Sequence, residues 1–236
     1  MSQYRIAVVV GSLRNASFNR QLADAIVKLA PPEFSFEQLD IGDLPLYNQD
    51  DDANQAESVK RLKARIAASR GLLFVTAEYN RSVPGVLKNA IDHASRPYGQ
   101  SAWAGKPAGV LGVSVGAIGT AMAQQHLRNV LAYLDVPTLA QPEGFIHAKE
   151  GLFDATGNVG ADGRKFLQGW MDHYVAWVKK HVSRTEKDHG DDNANPSHLF
   201  HFARRPWPWM KSCRRQERGR VGPDRCSSIA RAVTTP

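Results

Sequence analysis

Residues 11–19 read Gly-Ser-Leu-Arg-Asn-Ala-Ser-Phe-Asn and follow directly on the apolar run Arg5–Val10. Hydroxyls, amides and one guanidinium therefore stand between a buried strand and a helix. Such a loop can cradle an anion, because the first N–H groups of a helix are free and its dipole favours negative charge. The pattern is neither of the two commonest phosphate loops. A P-loop needs a second Gly and a Lys that are missing here. Leu13 and Ala16 stand where a dinucleotide fingerprint has glycines. What remains is Ser12, Arg14, Ser17 and Asn19, spaced to wrap one terminal phosphate. Ser17 also suits a helix N-cap, but Arg14 and Asn19 tip the balance toward phosphate.

Two later loops carry chemistry of other kinds. In Glu78-Tyr79-Asn80 an aromatic side chain can stack beside a planar ring while backbone amides meet its polar edge. The same residues could simply shape a turn before Pro84. Gly112-Val-Ser-Val-Gly116 formally matches G-x-S-x-G, the nucleophile elbow of serine hydrolases. Ser114 would then need an acid such as Asp135 or Asp154 and a base such as His147 or His173. The chain is small for an α/β-hydrolase, no HGGG-type loop follows an earlier strand, and the cradle would be left without a purpose. The glycines of this loop are better read as letting the backbone approach a flat ligand.

The elements that position these loops alternate. After the first strand, apolar residues from Asn19 to Leu29 form a helical stripe ended by Pro31-Pro32. Phe34 to Ile41 predicts a second strand, and a helix follows near Gln55–Ser69. Leu72–Thr76 and Ala108–Ser114 predict the third and fourth strands, each leading into a helix, one through His93 and one to about Leu134. Val136–Ala140 is expected to be the fifth strand, and an amphipathic helix spans Asp162–Val182. Strand–helix alternation means a parallel sheet covered on both faces. The expected fold is α/β, a flavodoxin-like three-layer sandwich with five strands in the order 2-1-3-4-5. Ligands on such sheets bind beyond the carboxyl ends of the strands, where the loops 11–19, 77–84 and 114–119 lie.

Composition narrows the function. The 236 residues carry 30 Lys/Arg against 23 Asp/Glu. Residues 184–236 hold 11 and 6 of these, leaving 19 against 17 for residues 1–183. The body is thus close to neutral, without a basic face for nucleic acid. No apolar run approaches the ~20 residues of a membrane span, and the N-terminus lacks a secretory pattern. A cytoplasmic protein is expected. Both cysteines, Cys213 and Cys226, fall outside the body, which excludes a thiol nucleophile there, and no metal-ligand cluster is visible. The chain is expected to divide into a domain over 1–183 and a basic C-terminal extension over 184–236. Asp188–Pro196 reads as a linker within that extension, and the composition of the rest favours disorder.

On the helix 84–94, Lys88, Asn89, Asp92 and His93 stand among Val86, Leu87, Ala90 and Ile91. So many apolar neighbours suggest a second covered face, supplied by another subunit. Arg128 and Glu143 read as surface charges, with subunit contacts as the alternative.

The combination of Gly11-Ser-Leu-Arg14, Ser17 and Asn19, Leu44-Pro-Leu-Tyr-Asn48, Glu78-Tyr-Asn80, Ser82, Pro84-Gly85, Leu87–Asp92 and Ser95–Trp103 resembles the NAD(P)H-dependent FMN reductase family. It is most similar to that family's bacterial quinone and chromate reductases. The resemblance covers roughly residues 3–182. It implies a flavodoxin-like fold, noncovalent FMN, NADPH or NADH as electron donor, and a homodimer or homotetramer built through helix 84–94. Ser12, Arg14, Ser17, Phe18 and Asn19 would hold the FMN phosphate and ribityl chain. Glu78, Tyr79, Asn80 and Ser82 would line the flavin, with Ser114 and Gly116 flanking it. His93 stands where many relatives carry an aromatic residue. The implied reaction passes a hydride to the flavin and then electrons to a small-molecule acceptor: quinones first, then chromate, azo dyes, ferricyanide or free flavin. A flavodoxin-like electron carrier without its own pyridine-nucleotide activity is the alternative of a different class.

Overall fold

A computed structural model of the chain describes residues 4–191, with side chains to residue 183. By its internal contacts the chain divides into Met1–Glu186 and Lys187–Pro236. The sheet and all three loops belong to the first unit.

Five strands run parallel: β1 Tyr4–Gly11, β2 Phe34–Gln38, β3 Gly71–Thr76, β4 Ala108–Ser114 and β5 Gly144–His147. Their order is β2-β1-β3-β4-β5, as expected of the flavodoxin-like arrangement. The helices are α1 Phe18–Ile26, α2 Glu57–Ala67, α3 Gly85–Ala94, α4 Ala121–Tyr133 and α5 Ala161–Asp191.

Successive strand side chains point to opposite faces, and the two cores follow that alternation. Ile6, Val8 and Val10 of β1 join Leu73 and Val75 of β3 in a core with Leu22 and Ile26 of α1 and Trp170, Tyr174 and Val178 of α5. Ala7 and Val9 join Leu72 and Phe74 in the opposite core with Leu62 of α2, Leu87 and Ile91 of α3, and Leu127 and Leu131 of α4. Every residue of β3 is buried, which explains its unbroken apolar run.

The fifth strand differs from expectation. Thr138 makes only an isolated bridge to Ala108, with Ala108 N–H donating to Pro137 O at 2.9 Å and Leu139 N–H to Ala108 O at 2.8 Å. Pro137 has no N–H to donate, so a continuous ladder through Val136–Ala140 does not form. The chain pairs again at Gly144–His147, in register with Leu111–Ser114. Gly144 is required at that approach, since a Cβ there would lie 2.5 Å from Leu111 Cβ.

The last helix also runs past Val182, to Asp191, into the segment expected to be a linker. Nothing from Ser183 to Glu186 breaks a helix, and Arg, Glu and Lys propagate one well. The expected disorder over the remainder of the extension lies outside the described residues.

Helix α3 is largely consumed within its own chain. Leu87, Ala90, Ile91, His93 and Ala94 are buried. His93 Nε2 lies 2.8 Å from Pro45 O and meets the Tyr47 ring edge-on at 5.3 Å. Asn89 donates to Pro45 O at 2.8 Å and accepts from Tyr47 N–H at 2.8 Å. Its apolar residues therefore do not by themselves require a second subunit; the loop 44–48 and the core account for them.

Candidate functional site

The loop after β1 has the chemistry of an anion nest. Ser17 is the N-cap of α1, and its Oγ accepts from Arg20 N–H at 3.3 Å, so the capping role is realised. The amide N–H groups of Leu13 through Ser17 donate to no acceptor among the described residues. Ser12 is 4% exposed, and its hydroxyl makes no hydrogen bond among those residues. Leu13 to Ala16 are exposed, so these donors are open to a ligand, and a phosphate at this helix N-terminus would engage them.

The other predicted members of this loop do different things. Asn19 is buried, and its amide is engaged at both ends: Nδ2 donates to Val113 O and Oδ1 accepts from Val113 N–H, each at 2.9 Å. It therefore clamps the first loop to β4. Arg14 donates to Ala16 O and lies over the Phe18 ring, 5.1 Å from its centroid. Its guanidinium is held at the loop surface by a carbonyl and a cation–π contact.

In the second loop, Tyr79 and Ser82 exchange backbone hydrogen bonds of 3.2 and 3.0 Å. Asn80 and Arg81 between them have φ of +51° and +64°. Both central residues at positive φ define a type I′ turn. Arg81 bears strain there, since only Gly, Asn and Asp enter this region readily. The turn leaves Tyr79 half-exposed. Glu78 faces inward: its Oε2 accepts from Met122 N–H at 3.0 Å and Ala123 N–H at 3.1 Å. It caps α4, whose own N-cap residue makes no side-chain cap. Ser82 Oγ is 3.0 Å from His126 Nδ1. His126 went unnoticed in the sequence because nothing local marks an α4 residue as a partner of this loop.

In the third loop Ser114 Oγ donates to Gly119 O at 2.5 Å and accepts from Gly116 N–H at 3.2 Å. No imidazole contacts it among the described residues. His147 Nε2 lies 3.1 Å from Val115 O, His173 bonds within α5, and Asp154 is engaged by Thr156 and Asn158. The nucleophile elbow is not assembled. Gly112 also proves to be a packing glycine, not an opening for a flat ligand: a Cβ there would lie 2.2 Å from Thr76 O. Gly116 alone of the pair faces open space, with only Ser114 Oγ near, at 3.5 Å.

Around these loops Tyr79, Val115, Ile118 and Met122 are exposed apolar side chains, Val115 by 73%. The carboxyl edge thus pairs a nest of free donors with an apolar shelf. That is the donor set a phosphorylated planar ligand requires. Arg128 and Glu143 lie away from these loops. Arg128 donates to Leu139 O at 2.7 Å and its Nε is buried without a partner. Burial lowers its pKa while Glu143 opposes the shift, so it is not an ordinary surface charge.

Fold and site together define a flavodoxin-like flavin-binding protein. Residues 4–151 match the NADPH-dependent FMN reductase family, and the chain belongs to it. It is an FMN-dependent NAD(P)H oxidoreductase. It is 60% identical over 176 residues to a 2-hydroxy-1,4-benzoquinone reductase of Burkholderia sp, covering 74% of this chain and 96% of that one. It is 51% identical over 181 residues to a quinone reductase of Pseudomonas putida, covering 76% and 97%. Among solved structures it resembles FerB, a flavoenzyme NAD(P)H:(acceptor) oxidoreductase from Paracoccus denitrificans, with a TM-score of 0.73 and 48% identity over 75% of this chain and 98% of that one.

Proposed function

We propose that the chain reduces quinones at the expense of NADPH or NADH, with FMN seated across the three loops. The observation that carries this is the pairing at one sheet edge of an unengaged Ser12 hydroxyl and free amides with the shelf of Tyr79, Val115 and Ile118. The quinone reductases among its relatives support the acceptor class. Chromate, azo dyes, ferricyanide and free flavin are secondary acceptors.

In this reading Ser12, Ser17, Arg14 and the Leu13–Ser17 amides receive the phosphate, and Phe18 walls its entrance. Asn19 positions the loop. Tyr79, Asn80 and Gly116 line the ring; Glu78, Ser82 and Ser114 hold their loops in shape through bonds to α4, His126 and Gly119. Bound FMN supplies hydride acceptance and two-electron delivery, so no protein acid or base is needed for that step. The half-exposed apolar shelf gives donor and acceptor one face to share in turn, which predicts ping-pong kinetics.

In this reading the reductase body spans 1–183 and residues 184–236 are an extension to it. Subunits associate through helix 84–94 beside a groove of about 590 Å³ between α3 and α4, next to Tyr133, which is 78% exposed. No described helix is long and apolar enough to cross a membrane, and dependence on NAD(P)H fits a cytoplasmic site.

Two measurements test the reading. The purified protein should show a flavin spectrum or take up FMN stoichiometrically, with or without residues 184–236. It should then oxidise NADH or NADPH with benzoquinone over many turnovers. A protein that binds no FMN overturns the site, and one that binds it without turnover is a carrier.

A further inference from the structure

A second polar cavity, of about 280 Å³, lies on the other flank of the first loop, between β1 and the chain leaving β2. Its walls include Ser12, Leu13, Arg20, Gln38 and Asp40. Among these the fold leaves Arg20 unsatisfied. Arg20 Nε is buried with no partner, and the guanidinium makes no ion pair among the described residues. A guanidinium left without an acceptor in a partly buried cavity calls for an anion, and its planar fork suits a phosphoryl group.

The opposite wall refines the choice. Asp40 stands two residues beyond β2, where Oδ1 accepts from Gly42 N–H at 3.0 Å and Oδ2 makes no hydrogen bond among the described residues. A carboxylate facing the cavity repels a bare phosphate and rewards a ligand that carries hydroxyl donors next to its charge. An acidic group near the end of β2 plays that part toward a ribose diol in other nucleotide-binding α/β sheets. The volume falls at the bottom of the ~300–1,000 Å³ range of small-molecule sites. It suits a phosphorylated sugar and not a whole dinucleotide.

We propose that this cavity is a subsite for a phosphorylated ribose, with Arg20 on the phosphate and Asp40 on the ribose hydroxyls. The source that fits the chain's chemistry is the adenosine end of its NAD(P)H donor, and that choice rests on the reading above. Arg20 would then set donor affinity from a position remote from the reacting atoms.

The test uses the full chain loaded with FMN, so that the first loop's own cradle is filled, and titrates ADP-ribose and, separately, inorganic phosphate by calorimetry. ADP-ribose should bind, and Arg20→Gln should weaken it at least about tenfold while Arg20→Lys recovers part of the loss. Asp40→Asn should weaken ADP-ribose and strengthen inorganic phosphate, an opposite-sign pair that a merely structural role would not produce. The flavin spectrum of each variant verifies that it is folded. In turnover, Arg20→Gln should raise KM for NAD(P)H and leave kcat unchanged. No binding of ADP-ribose by the loaded protein, or unchanged affinity in Arg20→Gln, overturns the subsite while leaving the proposed function standing. Phosphate binding seen only before FMN is added also overturns it, because the cavity then belongs to the cofactor. If the protein takes up no FMN, the proposed function fails and the ADP-ribose titration still decides the cavity.

Discussion

Along the carboxyl edge of the sheet, the loop after β1 leaves the Ser12 hydroxyl and its own amides unengaged, whereas the loops after β3 and β4 have committed most of their polar side chains. Ser12 and the amides of Leu13–Ser17 make no bonds among the described residues. Glu78, Ser82 and Ser114 all do, to α4, His126 and Gly119. The proposed seating of FMN accounts for the difference. A phosphate is held by directed hydrogen bonds, so its loop must present donors that the protein has not satisfied itself. A planar ring is held chiefly by apolar contact, so its loops need a rigid shape and an exposed shelf, and their polar side chains are free to provide the rigidity.

The comparison can be broken most severely at the rigid flank. Gly112→Val drives side-chain atoms into Thr76 O and Thr120 Oγ1 and should cost more than ~3 kcal/mol, the upper end for overpacking. A denaturation midpoint close to that of the unmodified protein would show that β4 can shift to admit it. Asn19→Leu removes the clamp between the flanks and leaves Val113 N–H and C=O unpaired in the core. We expect a loss of about 2–3 kcal/mol and weaker FMN retention together, read from denaturant unfolding and flavin release.

Substitutions on the donor flank should act on the ligand and spare the fold. Ser12→Ala should weaken FMN about tenfold, the scale of one hydrogen bond to a charged group, with riboflavin, which has no phosphate, bound as before. Arg14→Ala should also reduce FMN retention without moving the unfolding midpoint, because its side chain touches only its own loop. Equal losses for FMN and riboflavin would mean that the loop reads the ring and not the phosphate.

The smallest effect tests a segment outside the site. Asp154 is held at about 2, below its ordinary 3.8, first by Asn158 N–H and then by the Thr156 hydroxyl. A depressed carboxyl stabilises the fold fully above its unfolded pKa, and that stabilisation is lost as pH falls through about 2. The Tm difference between the protein and Asp154→Ala should therefore be constant above pH 5 and shrink steadily below pH 4. Asp154 is solvent-exposed, so the difference will be slight; a difference that grows on acidification would contradict the assignment.

Much of this was legible in the chain. The apolar runs of β1, β3 and β4 and the helical stripes between them follow from periodicity, because side-chain direction repeats every two residues in a strand and about every 3.6 in a helix; their alternation fits the doubly wound order 2-1-3-4-5. The fifth strand was not legible. Val136–Ala140 has the better strand composition, yet Pro137 denies it a ladder, and Gly144–His147 pairs because Gly144 lets the backbone reach Leu111. The loops proposed to bear the site also stand out by residue type, although Ser17 caps a helix and Gly112 serves packing.

The amino-acid sequence by itself determined the first four strands and which loops meet at the carboxyl edge. Only the tertiary structure decided which polar groups remain available. Asn19, Glu78 and Ser114 look like ligands in one dimension and are bonded to Val113, α4 and Gly119 in three, while Arg20 looks like a helix surface charge and lies partly buried without a partner. The physical reason is that hydrogen-bond satisfaction depends on groups far apart in the chain, and a local pattern carries no record of them.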